Sequence, residues 1–161
     1  MYRTGLGQDS HRFEPEGSQK PLMLGGVVIP NSRGLDGNSD ADVILHALTN
    51  AVSGVTGVNI LGSISDKLCL ENGILDSRVY LAEAFKYLHG WKITHVSMSV
   101  ECRSPKLSPH IDAIKNSVAE LFGLTKSDIG LTATTGEGLT DFGRGEGMQV
   151  FCVVNAKRVS I

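Results

Sequence analysis

A carboxylate and an imidazole two residues apart, Asp9 and His11 in the run Gly7-Gln8-Asp9-Ser10-His11, are the first residues whose types and spacing point to chemistry. On a strand, residues at i and i+2 face the same way, so the pair would be presented side by side. A second imidazole stands at His46, inside the segment Asp40 to Ser53. Two imidazoles and one carboxylate with a fourth position open form a catalytic arrangement for zinc, because structural zinc sites are closed by four protein ligands. The open position is where a substrate oxygen would be polarised. Plainer readings stand beside this one: Asp9 and His11 as a polar strand end, and His46 as a solvated surface histidine.

Other runs suit a phosphate ester. Thr132-Ala133-Thr134-Thr135-Gly136-Glu137-Gly138 offers hydroxyls and amides at a strand end, with Glu137 able to hold a hard cation. The alternative is a Thr-rich strand entering a glycine turn. Ser104-Pro105-Lys106-Leu107 is a stiff loop with one cation, either gripping a nucleotide or leading into a helix. Gly143-Arg144-Gly145-Glu146-Gly147 is a tight turn with an ion pair, or an anion site.

The elements that must position these residues follow from periodicity. Tyr2 to Asp9 is a strand and Leu22 to Pro30 a tight hairpin. Asp40 to Ser53 is a helix, with Val43, Ile44, Ala47, Leu48, Ala51 and Val52 on its apolar stripe. Asp42, His46, Thr49 and Asn50 lie opposite, and Ser39 is placed as its N-cap. Asp42 is placed to accept a ring N–H of His46 or to help cap the helix. Gly54 to Gly73 is the least regular stretch, suited to a loop over a site. Ser77 to His89 is a second helix with Val79, Ala82, Phe85 and Leu88 inward. Ile93 to Cys102 is a strand, Ser108-Pro109 opens a third helix that Gly123 stops, and Ile129 to Thr135 and Gly147 to Asn155 are strands.

That order predicts an α+β fold, a small mixed, mainly antiparallel sheet with helices on one face. A chain of 161 residues is read as a single domain, 1–161. The other sheet face, given an apolar row of Met148, Val150, Cys152 and Val154, would pack on copies of itself in a homo-oligomer. A net charge of −2 without a basic run argues against a nucleic-acid partner. Cys69, Cys102 and Cys152 lack C-x-x-C spacing and read as reduced thiols of a cytoplasmic protein. Neither a signal pattern nor an apolar run of membrane-spanning length is expected from the sequence.

Taken together, the residues resemble the 2-C-methyl-D-erythritol 2,4-cyclodiphosphate synthase family of the non-mevalonate isoprenoid pathway. The resemblance is carried by Gly-x-Asp-x-His at Gly7 to His11, Ser39-Asp40-Ala41-Asp42-Val43 with Leu45-His46-Ala47-Leu48, Pro105-Lys106 with Pro109-His110-Ile111, Ala133-Thr134-Thr135-x-Glu137, and Gly143 to Gly147. It implies a homotrimer with an active site at each subunit interface, in the cytoplasm or, after loss of a transit peptide, the plastid stroma. Asp9, His11 and His46 would hold one Zn²⁺ per subunit. Glu137 would hold Mg²⁺ or Mn²⁺ with bound substrate. Thr135, Lys106 and Asp42 take catalytic parts. Substrate contacts fall on Asn38, Ser39, Ser63, Ser65, Cys102, Arg103, Ser104, Pro105, Lys106, Ala133, Thr134, Thr135, Phe142 and Arg144. The implied reaction turns 4-diphosphocytidyl-2-C-methyl-D-erythritol 2-phosphate into the cyclic diphosphate and CMP.

The chain departs from the family pattern in places. Asn38 stands where a histidine is usual, Asn50 where an aspartate is usual, and Gln8 where an aromatic is common. Ser63-Ile64-Ser65-Asp66-Lys67-Leu68-Cys69 replaces a usual Phe-Pro-Asp-Thr-Asp-Pro stretch. The alternative is a non-catalytic trimeric relative that binds an isoprenoid phosphate or nucleotide as a sensor, and a weaker one is a metal-dependent phosphohydrolase.

Overall fold

The computed structural model describes residues 1–160. Strands β1 (Tyr2–Arg12), β4 (Trp91–Glu101), β5 (Ile129–Thr134) and β6 (Gly147–Arg158) form one sheet in the order β1-β6-β4-β5. β6 runs antiparallel to both neighbours, and β4 pairs parallel with β5. The parallel pair needs a crossover, supplied by helix α4 (Ile111–Phe122), which ends at Gly123 as expected. β2 (Pro21–Leu24) and β3 (Val27–Arg33) make the hairpin, turned by Gly25 and Gly26 at φ +62° and +81°. The fold is α+β with a mixed sheet.

Helix α1 (Val43–Thr56) begins later than the sequence suggests. Ala41 takes φ +53°, which no helical turn accommodates, so Asp42 and not Ser39 is the N-cap, accepting the Leu45 N–H at 3.0 Å. The same carboxylate accepts the N–H groups of Gly25 (2.8 Å) and Gly26 (2.7 Å), tying the helix start to the hairpin. Burial pushes the Asp42 carboxyl above its ordinary value, against these three N–H groups that favour the anion. The expected polar face of α1 is not solvated. Thr49 is fully buried and donates to the Leu45 carbonyl at 2.8 Å, and His46 is 9% exposed. The helix is wedged between β1 and helix α3 (Ser77–Phe85), so its polar side meets protein.

Three further expectations are corrected. Met148, Val150, Cys152 and Val154 are buried within the chain's own core. Alternation along a strand gives two rows, and α1 covers this one; the opposite face presents Leu6 (66% exposed), Phe151 (44%) and Ser97. The stretch after Gly54 contains a short helix α2 (Ser63–Asp66) running into a π turn, Lys67–Glu71. α3 ends at Phe85 and buries Ser77, Tyr80, Leu81 and Ala84 instead of the stripe through Val79 and Ala82. Two adjacent stripes of this helix carry apolar residues, and tertiary contacts choose between them: Tyr80 donates to the Ile74 carbonyl and Ser77 reaches Asp40.

Burial also separates the thiols. It pushes Cys102 up to about 11, helped by the nearby Glu101 charge, and Cys152 up to about 12, while Cys69 is partly exposed. A thiol alkylating reagent near neutral pH is therefore expected to label Cys69 in the folded protein. Cys102 and Cys152 should react only after denaturation, as peptide mapping would read. Labelling of either in the native protein would contradict the burial argument.

Candidate active site

Two glycines bring helix and strand together. A Cβ placed on Gly7 would lie 1.9 Å from the Ala47 carbonyl oxygen and 2.5 Å from the Ala51 nitrogen; one on Gly5 would lie 1.9 Å from the Ala51 oxygen. The backbone of α1 therefore rests directly on β1, and from the residue before Ala47 the His46 ring reaches the strand. Asn50 fixes the same contact by donating to the Gln8 carbonyl at 3.0 Å, a bond a carboxylate at that position could not make.

His11 Nε2 lies 2.8 Å and His46 Nδ1 3.2 Å from the same oxygen of Asp9, with the two ring nitrogens 3.2 Å apart. One ligand atom from each of the three residues lies within 4.8 Å of the others. The far nitrogens are also engaged. His11 Nδ1 donates to the Asp36 carbonyl at 2.8 Å, which turns Nε2 toward Asp9. His46 Nε2 sits 2.8 Å from Ser77 Oγ, with Ser39 Oγ looser at 3.5 Å. Two ring nitrogens and a carboxylate oxygen thus converge on one point, where a cation would be shared by all three. Two imidazole nitrogens and one carboxylate oxygen suit zinc. Burial pushes Asp9 upward, but hydrogen bonds and charge from His11 and His46 outweigh it and hold the carboxyl at about 2. The Asp42 carboxylate makes no bond to the His46 ring, because its oxygens are taken by the N–H groups of Gly25, Gly26 and Leu45.

A cavity of about 160 Å³ opens beside these residues, lined among others by His11, Asn38, Ser39, His46, Asp66 and Cys69. Ser65 also borders it, but its buried hydroxyl is spent on Gly62, accepting N–H at 3.0 Å and donating to C=O at 3.2 Å. Ser63 starts α2, exposed and outside this lining.

The remaining candidates gather at the ends of β4 and β5. The Cys102 N–H donates to the Thr134 carbonyl (3.1 Å) and the Arg103 N–H to the Phe142 carbonyl (3.1 Å), so the loops 102–106, 133–138 and 140–147 form one cluster. Ser104 and Lys106 are exposed and Pro105 is half-buried between them. Thr134 Oγ accepts the Gly136 N–H (3.1 Å) and Thr135 Oγ the Glu137 N–H (3.4 Å), which leaves both hydroxyl protons to donate outward. Ala133 and Glu137 are exposed beside them. Arg144 pairs with Asp141 at 2.6 Å and with the Gly138 carbonyl at 3.2 Å, so the turn closes on Asp141 and not on Glu146.

Both groups lie at one end of the sheet, since Ser10 faces Gln149, Gln149 faces Glu101, and Glu101 faces Thr134. Strand spacing puts β1 and β5 roughly 14 Å apart. A cavity of about 210 Å³ between them is lined by His11, Arg12, Asp141, Phe142 and Glu146 among others. One chain therefore brings Asp9, His11 and His46 together, and separately the 102–106 and 133–137 loops. Sequence reasoning missed Ser77 and the Asp36 carbonyl as partners of the histidines; residues 31 and 25 positions away carry no local signal for such contacts.

Comparison with known proteins follows the same lines. Residues 2–157 match the family described as YgbB. The 2-C-methyl-D-erythritol 2,4-cyclodiphosphate synthase of Chlamydia caviae is 48% identical over 155 residues, covering 96% of this chain and 88% of that protein. The bifunctional IspDF of Campylobacter jejuni superposes with a TM-score of 0.89 at 33% identity, over 99% of this chain but only 43% of that longer one. A 2C-methyl-D-erythritol-2,4-cyclodiphosphate synthase solved in its CDP-bound form matches with a TM-score of 0.79 at 35% identity, over 96% of this chain and all of that one.

Proposed function

The chain belongs to the YgbB family, and from that premise we propose that it cyclises 4-diphosphocytidyl-2-C-methyl-D-erythritol 2-phosphate to 2-C-methyl-D-erythritol 2,4-cyclodiphosphate, releasing CMP, in isoprenoid precursor biosynthesis. The observation that carries the reading is the convergence of Asp9, His11 and His46, with Nε2 of His11 aimed by the Asp36 carbonyl at the point they share. These three residues would hold Zn²⁺ and Glu137 a Mg²⁺ or Mn²⁺ ion, supplying charge neutralisation and polarisation at the diphosphate.

The 2-phosphate oxygen attacks the β-phosphorus, and the bond from that phosphorus to the bridging oxygen breaks as CMP leaves. No general base is needed, because the attacking oxygen is already anionic. The chain's task is to hold two anions in line and balance their charge. Thr134 and Thr135 donate their free hydroxyl protons to phosphate oxygens, and Lys106 adds a cation. Cys102 to Pro105, with Ala133, form the cytidine pocket, with Phe142 and Arg144 bordering it. Asn38 and Ser39, at the cavity beside the histidines, hold the 2-phosphate end, with Ser65 bordering that cavity and Ser63 just outside it at the start of α2. Asp42 acts at one remove, by setting where α1 begins.

A homotrimer with the site at each seam accords with the exposed Leu6 and Phe151 on the uncovered sheet face and with the gap between the two residue groups. Among the described residues no helix is long and apolar enough to cross a membrane, and the cytoplasm is the proposed location.

Incubating the protein with the substrate and Mg²⁺ and following ³¹P resonances tests the reading. Stoichiometric CMP and cyclic diphosphate are expected. CMP with a linear diphosphate would replace cyclisation by hydrolysis, and absence of CMP would favour the nucleotide- or isoprenoid-phosphate-binding sensor.

A further inference from the structure

Behind the metal-ligand cluster lies a chain of groups that no part of the reaction as described uses. The carboxylate of Asp40 is held by the Asp42 N–H (3.1 Å) on one oxygen and by the Ser77 N–H (3.1 Å) on the other. Its own N–H donates to the Leu75 carbonyl at 2.9 Å. Ser77, the fully buried first residue of α3, hydrogen-bonds through Oγ to the same carboxylate and, at 2.8 Å, to His46 Nε2. A carboxylate only accepts, so the Ser77 hydroxyl proton points to Asp40. What Ser77 offers His46 is therefore a lone pair. His46 must then carry a proton on Nε2, so that Nδ1 is the nitrogen able to present a lone pair to a cation beside Asp9 and His11.

We infer that Asp40 and Ser77 are positioning residues, a carboxylate–hydroxyl–imidazole chain that locks the ligating tautomer and the ring orientation of His46. The chain also fastens the start of α3 to the start of α1, so the wall of the 160 Å³ cavity and the metal ligand are held by one set of bonds. Outer partners of this kind are worth about 10–100-fold in metal affinity. The inference rests on the metal reading given above.

The direction of the chain makes it testable apart from activity. Ser77→Ala removes the acceptor. Asp40→Asn keeps size and shape; with its amide nitrogen at the position shared by Ser77 Oγ and the Asp42 N–H, it loses the latter bond and donates to Ser77 Oγ, which turns the hydroxyl proton toward His46 and favours the non-ligating Nδ1–H tautomer. Zinc affinity by chelator competition should fall about 10–100-fold in both variants. In metal-free protein, ¹⁵N shifts of the His46 ring should report Nε2–H in the parent and a move toward Nδ1–H in Asp40→Asn. A purely structural role would leave that tautomer unchanged. Melting of the metal-free proteins checks folding, and Asp40→Asn carries the test should Ser77→Ala not fold. Parent protein that binds no zinc would sink the metal reading itself. Parent that binds zinc, with folded variants within twofold of it or with Nδ1–H already dominant in the parent, would sink the relay alone.

Discussion

His46→Ala is expected to lose stoichiometric zinc and to lower turnover at least about 10³-fold, the factor that several kcal/mol of lost transition-state charge stabilisation represents. The size follows from how little else the chain supplies. The attacking phosphate needs no base, and the hydroxyls of Thr134 and Thr135 are neutral donors. In the proposed reaction cations at the diphosphate therefore carry most of the charge balance, and His46 would be the ligand that joins α1 to the strand pair Asp9 and His11. Removing it leaves one imidazole and one carboxylate on neighbouring positions of β1, a two-ligand site. The fold has less at stake, because α1 is anchored by apolar residues such as Ile44, Leu45, Leu48 and Val52 that the substitution does not touch. Elemental analysis, turnover and the oligomer mass read the three consequences separately. Stripping zinc from the unmodified protein should reproduce the loss of turnover, with recovery on adding it back. A zinc-free His46→Ala protein with full turnover would overturn the assignment of this cluster.

The parts of this molecule legible in the sequence are those written in local patterns. Period-2 and period-3.6 runs placed the strands and the third helix, and Gly25-Gly26 placed the hairpin turn. The pairing of Asp9 with His11 needs only that β1 be a strand, and His46 could be added because it stood alone on a helix. Errors arose where two local solutions were nearly equal. Both rows of β6 carry apolar residues, Met148, Val150, Cys152 and Val154 against Phe151 and Val153, so which row meets α1 is a tertiary matter. The same holds for the two stripes of α3. Ser39 and Asp42 both satisfy the chemistry of an N-cap, and the choice fell to the left-handed φ of Ala41 and to the hairpin amides that need Asp42. Least legible was the support behind His46, since Asp40 and Ser77 meet only because α1 and α3 start side by side.

Gly7→Ala should be the most damaging single-methyl change in the chain. On the unfolded side the substitution is favourable by about 0.4–1 kcal/mol, because alanine has less conformational freedom to lose. Gly7 does not occupy the left-handed region, so no backbone strain opposes it. Sterics decide the sign. The new methyl would sit 1.9 Å from the Ala47 carbonyl oxygen and 2.5 Å from the Ala51 nitrogen, both main-chain atoms that no rotamer change can move. Either α1 lifts from β1 or β1 bends away, and each opens the contact that seats Ala47, Ala51 and His46. Overpacking of flexible side chains already costs 1–3 kcal/mol, and a backbone clash should exceed about 3 kcal/mol. For a chain of this size that is a fall in melting temperature of at least about 6–12 °C. Gly17→Ala is the natural control: its φ of +86° is strained for alanine, but nothing lies within 4 Å, so only about 1 kcal/mol of backbone cost is expected. Zinc affinity should follow Gly7→Ala downward, because His46 rides on the helix that is displaced, and should be unmoved in Gly17→Ala. Equal melting temperatures for the two variants would mean that α1 yields without cost, and the close seating of helix on strand would then not be what aims His46 at Asp9 and His11.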